Sequence, residues 1–299
     1  MATVTVPSKA PRPPSSSRSL GNVVSKTIIY IILGFWAFMV IFPMLWSVMT
    51  SFKTDQEIFF SPWALPKTLV FDNFVRAWVK ARMGAYLINT LVIIIPALFL
   101  TLLLSAMASY VLARFEFRGR TFITYLFLLG MIFPIFLALV PLYFVMTKLK
   151  LLDTYPGLIL VYVAFSLSFT TFFLTNFFRT LPKELGEAAL MDGANQFDIF
   201  SRVYLPLAKP GLITMGIFNF LGQWNQYILP NTLMITNNDT KTHYVLSQGL
   251  YYLQAQQFYQ NDWSGLFAAV TIVMIPTLVI YLIFHDRIEK GMTAGALKG

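Results

Sequence analysis

The 299-residue sequence has no cysteine, which excludes disulfides and thiolate metal sites. Its two histidines, His243 and His285, are too far apart to give a metal-ligand spacing. Charge is scarce, at 12% of residues, against about a quarter in an average soluble domain. No G-x-x-x-x-G-K-[ST] stretch is present, so there is no P-loop to hold ATP phosphates. No nucleophile elbow or paired-carboxylate motif stands above chance, so neither chemical catalysis nor a cofactor is expected of this polypeptide. No internal repeat is visible, which argues against a transporter built from two inverted halves in one chain.

Charge is also missing in blocks. Windows 27–49, 85–112, 121–147, 156–178, 211–235 and 264–285 carry no Asp, Glu, Lys or Arg. Each is long enough for a hydrocarbon core that needs roughly 20 helical residues. Six buried helices of a soluble core would be shorter and would show a polar face. The fold class expected is therefore an all-α integral membrane protein with six transmembrane helices, filling a permease domain over 27–299. The absence of ionisable groups within the spans disfavours a proton- or ion-coupled carrier. The net charge of +9 is read as an orientation signal and not as nucleic-acid binding. With the N-terminus inside, inner segments hold 14 Lys/Arg and outer segments 8, so both termini are expected in the cytoplasm.

What remains between the spans is informative. Residues 1–26 begin Pro/Ser-rich and basic and are expected to form a disordered tail. The outer segment 236–263 is rich in Gln, Asn and Tyr and longer than a turn requires, which suits a docking surface. The inner segment 179–210 has helical spacing at Leu181, Leu185, Ala188 and Ala189, then Gly193, then a second stripe at Phe197, Phe200 and Tyr204. It reads as two short helices around a glycine corner with an exposed apolar edge, a pattern that faces a partner more often than it merely caps a bundle. Span five holds Asn219, Gln223, Trp224, Asn225 and Gln226. Of these, Asn219, Gln223 and Gln226 share a helix face. Amides with aromatics suit a neutral, hydroxyl-rich ligand; hydrogen bonding between helices is the other reading. Tyr143, Phe165 and Ser166 are further candidates for cavity lining.

Glu187, Ala188, Ala189, Asp192, Gly193 and Ala194, followed by Leu205 and Pro206, form E-A-A-x-x-D-G-A and then L-P. This resembles the signature cytoplasmic loop of permease subunits in ATP-binding-cassette (ABC) importers. Further stretches, PMLWSVMTSFK (43–53), LARFEFRGR (112–120), FLGQWNQYILP (220–230) and GMTAGALKG (291–299), resemble the maltose-type carbohydrate permeases over about 25–299. One departure is Gln226, where that family often has an acidic residue. The resemblance implies a type-I importer permease fold whose coupling helices, with Phe197 among their residues, dock on an ATPase. Glu187 would hold a basic residue of that ATPase or brace the loop. It implies four partners: a second permease subunit, an ATPase dimer, an extracytoplasmic solute-binding protein and a sugar. It also implies a lipid setting in a bacterial or archaeal cytoplasmic membrane. A carrier or channel working alone, and a scaffold without transport, are the alternatives.

Overall fold

The structure is a computed structural model and describes residues 20–234 and 243–296. The expected tail falls largely on residues 1–19, outside the described part; from Leu20 the chain is helical. Residues 236–242 of the 236–263 segment also lie outside it, with residue 235 before them. The chain divides into two compact units, 1–48 and 49–299. The first consists of most of α1 (Leu20–Thr50), whose side chains from Val24 to Pro43 are all exposed. An apolar helix bare on every side is suited to lipid.

In the second unit, α2 (Asp55–Phe60) starts in a capping box. Thr54 Oγ1 accepts from Glu57 N, and Glu57 Oε2 accepts from Thr54 N. α3 (Asp72–Val75) runs into a π-helical turn, Arg76–Lys80. Then come α4 (Met83–Arg114), α5 (Arg120–Ile132), α6 (Ile135–Lys148) and α7 (Tyr155–Thr180). α8 (Glu184–Met191) and α9 (Gln196–Asp198) precede a second π-helical stretch, Ile199–Tyr204, and α10 (Leu205–Leu207). α11 (Lys209–Trp224), α12 (Ile228–Leu233), α13 (Leu246–Gln260) and α14 (Trp263–Ala296) complete the chain. No strand occurs among the described residues.

Among the described residues, four helices are long and apolar enough to cross a membrane: Val24–Thr50, Met83–Arg114, Tyr155–Thr180 and Trp263–Asp286. Window 121–147 is not one rod: α5 and α6 meet at 102°. Pro134 has no N–H to continue the helix, and Phe133 before it is extended (φ −68°, ψ 121°). Window 211–235 is broken too, between α11 and α12. Pro230 has no N–H for the Gln226 carbonyl, which accepts from Ser247 Oγ at 2.9 Å instead. The amides of the break also bond locally, Asn225 Nδ2 to Leu221 O at 2.8 Å and Ile228 N to Gln226 Oε1 at 3.2 Å.

α4 and α7 lie side by side along small polar residues. Thr101, Ser105, Ser109, Thr170, Thr171 and Thr175 are buried, and Ser109 Oγ donates to Thr171 O at 2.9 Å. Small side chains let membrane helices approach closely. One core gathers Ile93, Leu158, Trp224, Leu229 and Leu246; a second gathers Tyr110, Leu174, Phe178, Phe200, Tyr204 and Met215. The loop after α1 is fixed by Lys53, fully buried, whose Nζ donates to Ser61 O and Pro62 O at 3.1 and 2.8 Å. Arg76 joins that loop to the start of α14 through Asp262 at 3.0 Å. Burial pushes the Asp262 carboxyl up, but Arg76, Gly265 N–H and Ser264 outweigh it and hold it below the usual carboxylate range.

Candidate functional site

Two places collect the residues singled out above. The first is the segment between α7 and α11. Glu184 and Glu187 lie in the first turn of α8, where carboxylates suit the positive end of the helix dipole. The helix closes with Asp192 N, Gly193 N and Ala194 N donating to Ala188 O, Leu190 O and Ala189 O, each at 3.0 Å. Gly193 makes the corner at φ +85°. Asn195 Oδ1 then caps α9, accepting from Phe197 N and Asp198 N at 3.0 and 2.9 Å. The two short helices around a glycine corner are thus present.

Burial sorts the residues of this segment. Glu187, Ala188, Asp192, Gly193, Phe197 and Pro206 are exposed. Ala189, Ala194 and Leu205 turn inward onto the core of Tyr110, Phe178 and Phe200. The exposed edge is more apolar than the motif alone suggests: Met191 is 86% exposed, Phe197 70% and Leu190 54%. Sequence reasoning passed over Met191, and also Gly186, where a Cβ would come within 2.6 Å of Tyr204 Oη. Only the glycine preceding the Glu-Ala-Ala run could have pointed to it.

The second place is a cavity of about 290 Å³ between α7 and α11. Tyr162, Phe165, Ser166 and Phe169 face it from α7, at spacings of three, four and seven residues. Phe218, Asn219, Gly222 and Gln223 face it from α11, with Gln226 and Leu229 beyond. None of these ten residues is charged. Asn219 Nδ2 donates to Thr170 Oγ1 at 2.9 Å, and Gln223 Nε2 to Ser166 Oγ at 3.2 Å. Gln223 is 5% exposed, and its Oε1 takes no hydrogen bond among the described residues. Hydrogen bonding between helices and a polar cavity wall are therefore both present in the same side chains.

The structure brings Asn219, Gln223 and Gln226 to this wall together, with Phe165 and Ser166 opposite. It does not bring Trp224, Asn225 or Tyr143 there. Trp224 is buried, stacks on Phe220 at 5.4 Å and donates from Nε1 to Val273 O at 3.2 Å. Asn225 is exposed and bonds back to its own helix. Tyr143 lies on α6 against Phe144 at 5.9 Å. Tyr162 and Phe169 were missed, although their spacing to Phe165 and Ser166 is the same one that marks span five.

Residues 102–294 match the family described as the binding-protein-dependent transport system inner membrane component. The diacetylchitobiose uptake system permease protein NgcG of Streptomyces coelicolor is 46% identical over 271 residues, covering 91% of this chain and 88% of the relative. The trehalose transport system permease protein SugB of Mycobacterium tuberculosis is 34% identical over 257 residues, covering 86% of this chain and 92% of its own. Among solved structures, a chain of a bacterial ABC transporter involved in import of the acidic polysaccharide alginate superposes with a TM-score of 0.77 at 21% identity, covering 90% of this chain and 98% of that one. By the family match and these identities, the chain belongs to the inner membrane components of binding-protein-dependent transport systems: it is a multi-pass ABC importer permease, with ATP hydrolysis on a separate subunit.

Proposed function

We propose that this chain forms half of the translocation pathway of an importer for an uncharged sugar, beside a second permease subunit. The exposed edge of the α8–α9 segment docks on the ATPase, with Glu187, Ala188, Asp192, Gly193 and Phe197 in the contact. An external solute-binding protein delivers the sugar, and both termini lie in the cytoplasm of a bacterial or archaeal cell. ATP binding closes the ATPase dimer, the α8–α9 segment moves with it, and the bundle turns from inward- to outward-facing.

The observation that carries the sugar reading is the cavity wall, which is uncharged and joins amides to aromatic rings. Rings stack on the apolar faces of a sugar while amides bond its hydroxyls. Diacetylchitobiose and trehalose, named for two relatives, are uncharged. A wall without Lys or Arg offers no counter-charge to an acidic sugar.

The test is uptake into proteoliposomes holding the chain with its partner permease, ATPase and loaded binding protein. Replacing Gln223 with Ala strands Ser166 and removes an amide from the wall, a loss of about 1–3 kcal/mol. Transport of the sugar should weaken about tenfold or more in apparent affinity with the complex intact. Asn225→Ala should behave as wild type, since its amide serves only its own helix. Unchanged uptake by the Gln223 variant, or dissociation of the complex, makes the amide packing glue and overturns the cavity assignment.

A further inference from the structure

Only Leu181, Pro182 and Lys183 separate α7 from α8. The carbonyls of all three are held by two side chains from elsewhere. Arg114, the last residue of α4, donates from Nη2 to Phe178 O and Leu181 O, both at 2.8 Å. Tyr204 Oη shares its one proton between Pro182 O and Lys183 O, at 3.3 and 3.4 Å, and Lys183 O also accepts from Gly186 N and Glu187 N at 3.0 and 3.2 Å. The two side chains also meet: the Arg114 guanidinium carbon lies 4.3 Å from the Tyr204 ring centroid. Tyr204 is 3% exposed and packed on Gly186 of α8 and, at 5.5 Å, on Tyr110 of α4.

A hinge works because a few residues are free to absorb φ/ψ change. Here the proline ring fixes one φ, and every carbonyl of the linker is bonded. Hydrogen bonds from an ionised donor are roughly twice as strong as neutral ones, and the stacked ring shelters the guanidinium. α7 also carries Tyr162, Phe165, Ser166 and Phe169 to the cavity. From Thr180 to Tyr162 is about 27 Å at 1.5 Å per residue.

We propose that Arg114 and Tyr204 clamp the 181–183 linker, so that a push on α8 moves the ends of α4 and α7 as one body and reaches the cavity instead of being lost in a flexing joint. Both are positioning residues. The proposal rests on the importer reading for the source of the push, but the clamp itself has a readout that does not.

Amide hydrogen exchange of Gly186 and Glu187 in the purified chain reads the joint, since both N–H groups bond Lys183 O. Arg114→Lys and Tyr204→Phe keep charge and ring but lose the fork and the hydroxyl. Exchange there should quicken about tenfold in each, while the α4–α7 interface is unchanged. Exchange as slow as in wild type overturns the clamp. In the reconstituted importer, Arg114→Ala and Tyr204→Leu should still bind the ATPase and hydrolyse ATP, with sugar moved per ATP down about tenfold. Unchanged sugar per ATP overturns the proposal, and so does a joint fall of assembly, hydrolysis and transport, the mark of a merely structural role. Absence of ATP-dependent uptake by the wild-type chain would sink the importer reading instead, leaving the exchange result to decide the clamp.

Discussion

Gly193 turns the chain at φ +85° with open space where a Cβ would point. Any penalty there is one of backbone conformation and not of packing. A left-handed residue other than glycine costs roughly 1–2 kcal/mol, more if β-branched, and least for Asn. Gly193→Val should therefore abolish stimulation of ATP hydrolysis by the loaded binding protein while the chain still inserts. Gly193→Asn should keep most of it. Full stimulation in the Val variant would show that the corner does not shape the docking edge. This corner was legible in the sequence because glycine interrupts a polar helical pattern with nothing else to explain it. Arg114 was not legible: its partners are main-chain carbonyls 64 and 67 residues away, and a carbonyl has no residue type to read.

Helices were legible where pattern decides them and illegible where their ends do. Charge-free windows located the apolar stretches, yet the 102° bend between α5 and α6 hangs on one missing N–H at Pro134. Asn219 and Gln223 could be placed on one face because α11 runs unbroken to Trp224. Asn225 could not, since the helix stops there. The Gln/Tyr-rich segment 236–263 suits a docking loop by composition, and much of its described part is α13. That helix has an inner side: Gln248 Nε2 donates to Pro230 O and Met234 O at 3.0 Å each, and Gly249 is pressed on Tyr86. Its exposed side includes Tyr251 and Gln254. If that side meets the binding protein, Tyr251→Ala with Gln254→Ala should lower stimulation of ATP hydrolysis and spare assembly. Gln248→Ala should instead reduce the yield of folded chain, because two buried carbonyls lose their donor at about 1–3 kcal/mol. Normal stimulation in the surface variant would move the docking face to the loop at 50–84.

At the scale of the whole molecule, the proposed function requires α8 and α13 to lie on opposite sides of a membrane. α11 has 16 residues and α12 has 6. At 1.5 Å per residue they measure about 24 and 9 Å, against a hydrocarbon core of about 30 Å. Neither is long enough to cross alone; together they are, provided the amides at the 225–227 break stay shielded by their local hydrogen bonds. On the proposed orientation, the excess of Lys and Arg in the segments around α8 favours the cytoplasm for that side. The chain's lack of cysteine makes this directly testable, because any introduced thiol is the only one present. Met191 is 86% exposed on α8 and Tyr251 48% on α13. In intact cells a membrane-impermeant maleimide should label Tyr251→Cys at once and Met191→Cys only after the membrane is opened. Labelling of both from outside would mean that α11 and α12 fold back without crossing, and the α8 edge could not then meet a cytoplasmic ATPase. The reverse order, Met191→Cys from outside and Tyr251→Cys only after opening, would invert the chain and set the charge asymmetry aside.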